Sequence, residues 1–85
     1  MKIINEIFAI IKDHPQTGSS RVLAVALASA CNAHYSVSLL DVSARLDYNG
    51  KKLVDRLARI TQEPDFSNDA QYQAIQRLLA LGFIH

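Results

Sequence analysis

The chain predicts an all-α fold: a compact bundle of about five short helices around one central, apolar helix. Three observations point there. Apolar residues recur at helical spacing, and no segment shows the apolar–polar alternation of a half-buried strand. Turn-forming residues gather at breaks such as DHPQTGSS, DYNG and QEPDFSND. The connections are short enough for neighbouring helices to pack directly against one another.

The first helix runs from about Lys2 to Lys12. At 100° per residue, Ile3, Ile4, Ile7, Phe8, Ile10 and Ile11 fall within one arc roughly 160° wide. Asn5, Glu6, Ala9 and Lys12 take the other side. The helix stops before His14, which precedes Pro15 and is disfavoured in the α region. The second helix starts after Ser19 or Ser20, either of which can cap it, and runs to about Ala33. RVLAVALASACNA has no polar face, so this helix belongs in the middle. Its alanines at 24, 26, 28, 30 and 33 let neighbours approach closely.

The third helix lies within VSLLDVSARL, with Ser38 and Asp41 at capping-box spacing and Ser36 as a rival cap. Asn49 or Gly50 then supplies a left-handed turn, and the fourth helix runs from Lys51 to about Thr61. The fifth, from about Asp69 to Leu81, places Tyr72, Ile75, Leu78 and Leu79 on one face. Gly82 suits its C-terminal stop, and Phe83 or Ile84 folds back over its end.

Eighty-five residues make one domain, 1–85, with an expected radius of gyration of roughly 12 Å. A domain of this size buries only a little over ~60% of its unfolded surface. Its hydrophobic fraction of 49% therefore leaves apolar side chains for a partner or a weak homodimer. The broad arc of the first helix and the added apolar area of Phe83-Ile84 place such contacts on the first or the fifth helix. A single cysteine, Cys31, excludes an internal disulfide and fits a cytoplasmic setting. The uncharged stretch 22–40 is interrupted by Ser29, Asn32, His34, Ser36 and Ser38, which argues against a membrane span.

Enzyme chemistry finds little support. His14, His34 and His85 fall in loops or at the end of the sequence, and no HxxxH, CxxC or glycine-rich phosphate loop is present. Cys31 and His34 stand three apart, but an apolar helix raises a thiol pKa and works against a nucleophile. No cofactor or metal is expected.

The net charge of +1 creates no global field, but residues 36–61 carry +2 and the remainder −1. The candidate binding residues are Arg45, Lys51, Lys52, Arg56 and Arg59. Lys52, Arg56 and Arg59 lie within roughly 60° of one another on the fourth helix, opposite Leu53, Leu57 and Ile60. Asp55 stands at i, i+4 spacing from both Lys51 and Arg59 and can pair with either. Three readings fit this stripe: a solvated face, a surface for an acidic protein, and a nucleic-acid surface. In the last, residues 38–61 form a helix-turn-helix in outline.

Residues 17–60 also resemble an uncharacterised helical domain family of small proteins from bacterial conjugative elements and related mobile DNA. The resemblance rests on TGSSRV opening an apolar helix, Asn32 near its end, a segment centred on Leu40, LDY at 46–48 and LVDRLARI at 53–60. SVSLLDVS is more polar than the family's segment there. The resemblance implies a mobile-element setting, in which proteins of this size act as regulators or as inhibitors of host defence complexes by binding alone. The expectation is a non-enzymatic protein that acts through its surface on a protein partner, with the small DNA-binding regulator as the alternative.

Overall fold

The computed structural model describes residues 1–85 and is all-helical, with a radius of gyration of 11.5 Å. Five helices follow in order: α1 (Lys2–Asp13), α2 (Gly18–Cys31), α3 (Leu39–Arg45), α4 (Tyr48–Leu57) and α5 (Asn68–Leu81). A 3-10 turn, Ile60–Gln62, separates the last two.

The core grows from the two N-terminal helices. α1 buries Ile3, Ile4, Ile7, Phe8 and Ile11, the inner part of its apolar arc. α2 buries Val22, Leu23, Ala24, Ala26, Leu27 and Ala28 and packs against each of the other four helices. It is the central helix that its lack of a polar face requires. Its buried alanines replace bulk with close helix–helix approach, and α1, α4 and α5 close around it.

Four helix starts are written into the sequence as caps. Thr17 caps α2 by accepting from the Ser20 N–H at 3.2 Å. The expected caps, Ser19 and Ser20, are instead inside the first turn. The helix also ends at Cys31 rather than Ala33, because the Asn32 side chain accepts from the His34 N–H at 2.8 Å and turns the chain. Ser38 caps α3 as expected, and Ser67 caps α5. α1 lacks a side-chain cap of its own. Asp65, far away in the loop before α5, accepts from the Lys2 N–H at 2.8 Å instead. That hydrogen bond holds the Asp65 carboxyl below its ordinary pKa.

The start of α4 corrects the sequence reading. Asn49 and Gly50 form no left-handed turn; both lie in the first turn of the helix, three residues earlier than expected. Asp47 is the cap and accepts from the Gly50 N–H at 2.8 Å. Glycine serves there through size: a Cβ at position 50 would meet the Leu46 Cβ at 3.2 Å. The single left-handed residue is Gly82, φ 82°, which ends α5 with paired bonds from the Gly82 N–H to Leu79 and the Phe83 N–H to Leu78. Ile84 then buries against the core, as the fold-back expectation holds.

Two further expectations fail. α4 stops at Leu57, where the chain tightens into the 3-10 turn and Ile60 enters the core. On α5 the buried residues are Ala74, Ile75 and Leu78, while Tyr72 and Leu79 are exposed. The inward stripe is centred one residue away from the expected one, because alanine at 74 lets α5 lie close to α2. A cross-link between these helices supports that placement: the Gln71 side chain donates to the Ala30 carbonyl at 3.1 Å and satisfies an end carbonyl of α2.

Candidate interaction surface

The basic residues do not form one stripe in space. Arg56 turns inward to bridge three parts of the fold. Its guanidinium reaches Glu6 of α1 at 2.8 Å and Glu63, after the 3-10 turn, at 2.6 Å. The hydrogen bond to Glu63 and the two nearby carboxylates hold the Arg56 pKa up. Arg56 is therefore a clamp between α1, α4 and the following loop. The side chain stays partly exposed, but it is held by two carboxylates rather than free in water. The periodicity of α4 places Arg56 at the edge of its buried face, where acids on neighbouring elements can reach it.

Arg59 pairs with Asp55 at 2.7 Å, so Asp55 serves Arg59 and leaves Lys51 unpaired. Arg45 pairs with Asp41 at 3.7 Å on exposed α3. Lys51 and Lys52 are exposed and enter no ion pair. The Lys52 ammonium lies 5.2 Å from the Tyr48 ring centroid, a cation–π contact at the surface. Of the five candidates, the two lysines are thus the cations left available.

Beside them lies an apolar surface that the charge pattern did not reveal. Leu39 is 78% exposed, Leu40 75% and Tyr48 74%, the three most exposed large apolar residues of the chain. α3 buries none of its residues. Next to Leu39 a shallow cleft of about 350 Å³ is lined by Ala26, Ala30, Val37, Val54 and Ala58. Leu39, at the N-terminal end of α3, lies against the C-terminal half of α4 through Val54, Leu57 and Ala58, whereas Tyr48, Lys51 and Lys52 stand at the start of α4.

A signal for part of this was present in the sequence. Leu39, Val42 and Leu46 fall within roughly 60° on a helix, while Leu40 points roughly 160° away from Val42. Leu40 could not share their buried side. Tyr48, similarly, falls with Lys52 and Arg59 on the outer face of α4. The exposure of Leu39 has no such signal, since it depends on no other element covering the N-terminal end of α3.

α1 and α5, the helices expected to offer apolar contacts, divide. The arc of α1 is consumed by α2 and α4, which flank it on two sides. α5 keeps Tyr72, Leu79 and Leu81 exposed. The histidines are all exposed, and no three His, Cys, Asp or Glu side chains gather as a metal-holding group. Burial pushes the Cys31 thiol up to about 11, which leaves it protonated at neutral pH and a poor nucleophile. No helix is long and apolar enough to cross a membrane. No family model, curated protein or solved structure matches the chain.

Proposed function

We propose that this is a non-enzymatic binding protein whose α3–α4 face docks an acidic, amphipathic segment of a protein partner. The observation that carries the reading is the exposure of Leu39, Leu40 and Tyr48 on two adjoining helices, the second of which also carries two lysines without ion pairs. Exposed apolar residues and unpaired cations carried by one pair of adjoining helices suit a partner that offers apolar and acidic side chains. A leucine or tyrosine inserted into a partner pocket is the kind of anchor that supplies binding energy, and flanking lysines set orientation and association rate. The shallow cleft beside Leu39 accepts a small apolar side chain in return. The resemblance to the mobile-element domain family gives the biological setting of the proposal: an accessory protein that acts by occupying a surface on a host protein.

The DNA-binding alternative is weaker on geometry. α3 and α4 are joined by only Leu46 and Asp47, tighter than the three- or four-residue turn of a helix-turn-helix. Arg56 is committed to Glu6 and Glu63. Two free lysines give a log-affinity slope against log salt of only about −1.8.

The test uses photo-reactive side chains at position 40 in one variant and at Gln73, on the exposed side of α5, in another. Both are expressed in the native host. A single protein species should cross-link at 40 and not at 73, through a peptide rich in Asp or Glu. Lys51→Glu with Lys52→Glu should abolish that cross-link without lowering the melting temperature. Equal labelling from both positions, or labelling of nucleic acid, would sink the proposal.

A further inference from the structure

A second feature, separate from the α3–α4 face, has its own chemistry. A cavity of about 580 Å³ opens where α1, the turn after it, α2 and the residues following α5 meet. Its volume falls in the range of small-molecule sites, roughly 300–1,000 Å³. Val25, Leu81 and Phe83 supply accessible apolar wall over the buried Phe8 and Ile11, and Lys12, Arg21 and Arg77 supply three cations. No Asp or Glu lines it.

That imbalance is specific to this place. The chain holds nine Lys and Arg against eight Asp and Glu, so a cavity with three of the cations and no acid departs from the average surface. None of the three takes part in an ion pair; those of the fold use Arg45, Arg56 and Arg59. Arg77 is positioned, with its guanidinium carbon 4.1 Å from the Phe8 ring centroid. Stacking on a ring holds the guanidinium plane and leaves its N–H edge free for an oxyanion. The His85 carbonyl is engaged by the Tyr35 hydroxyl at 3.2 Å, which fastens the wall of the cavity carrying Phe83.

We propose that this cavity binds a small organic anion: an apolar body against Val25, Leu81 and Phe83, with a phosphate, sulfonate or carboxylate head held by Lys12, Arg21 and Arg77. Both halves of that description are needed. Three cations along one cavity without an acidic side chain among them gain from an anion, and charge-assisted bonds from arginine favour an oxyanion. The apolar wall of Val25, Leu81 and Phe83 then favours an anion that carries carbon over inorganic phosphate.

The experiment is a fluorescence titration of the intact protein with 8-anilinonaphthalene-1-sulfonate and with its uncharged relative N-phenyl-1-naphthylamine. The sulfonate dye should saturate at one equivalent. Lys12→Gln combined with Arg21→Gln alters two exposed side chains and should leave the thermal melt unchanged. It should weaken the sulfonate dye at least about tenfold, the scale of one lost charge-assisted hydrogen bond. Binding of the uncharged dye should not respond to that change. Phenyl phosphate should displace the sulfonate dye at lower concentration than inorganic phosphate does. Unchanged dye affinity in the double variant overturns the site. So does loss of dye binding in Leu39→Ser with Leu40→Ser, which would place the dye on the other face. Equal displacement by inorganic phosphate overturns the organic part of the ligand.

Discussion

α1 and α3 carry similar words and have opposite fates. α1 contains the adjacent apolar pairs Ile3-Ile4, Ile7-Phe8 and Ile10-Ile11, and α3 contains Leu39-Leu40. In α1 five apolar residues are buried; in α3 none is. The difference is not hydrophobicity but enclosure. α1 has α2 on one side and α4 on another, so its wide arc is covered. α3 follows an extended connection and meets neighbours along one edge only. What holds it is local: the Ser38 cap, the Asp41–Arg45 pair, half-buried Val42 and buried Leu46 just past its end. Its leucines contribute little to folding and remain free for contact with another molecule. A period says which way a side chain points, and only the arrangement of the other elements says whether something is there.

The strongest way to break this contrast is to truncate one residue from each side. Ile7 and Leu27 are 0% exposed, and replacing either with alanine should cost about 2–5 kcal/mol in chemical denaturation, through lost transfer energy and a residual cavity. Leu40→Ala should stay within about 0.5 kcal/mol, as a surface change does. If Leu40→Ala destabilises by more than about 1.5 kcal/mol, α3 is packed in solution and the free face does not exist.

Arg56 tests the join between the two halves. It ties α4 to Glu6 of α1 and to Glu63, so Arg56→Glu places three carboxylates together. The clamp is partly exposed, which sets the cost between a surface pair and a buried one, about 1–2 kcal/mol. Arg59→Glu opposes only Asp55 in open solvent and should cost less than about 0.5 kcal/mol. Equal effects would mean that Arg56 is as free as Arg59, and would return it to the available surface beside Lys52.

The helices, the central place of α2 and the Gly82 stop were legible because each rests on short-range physics: periodicity, the absence of a polar face, a left-handed residue. The wrong boundaries have equally local reasons. Thr17 and Asp47 are good caps, yet each stands just ahead of another turn-former, Ser19 in one case and Gly50 in the other, and the second signal competes with the first for the boundary. The candidate surface was legible only in part. Charge spacing singled out Lys51 and Lys52, which the fold leaves exposed and unpaired, but the fate of Arg56 depends on Glu6, fifty residues away, and that of Leu39 on an absent neighbour. The cationic cavity draws on Lys12, Arg21 and Arg77 from three different helices, and no window of sequence contains them together.

A flaw in the packed half should have a smaller effect than truncating Ile7 or Leu27. Ser20 is 0% exposed, in the first turn of α2, and its hydroxyl meets no hydrogen-bond partner. Its backbone N–H is satisfied by Thr17, so the cap does not require the Ser20 side chain. A buried hydroxyl without a partner loses its water and gains nothing in exchange, a penalty of roughly 1–3 kcal/mol in proteins. Alanine keeps the Cβ, removes the oxygen, and has the better helix propensity. The small void it leaves offsets part of the gain. Ser20→Ala should therefore stabilise the protein by about 1 kcal/mol, read as a higher denaturation midpoint at unchanged slope. If it destabilises by a similar amount, the hydroxyl has a partner in solution, and the start of α2 is held by more than Thr17.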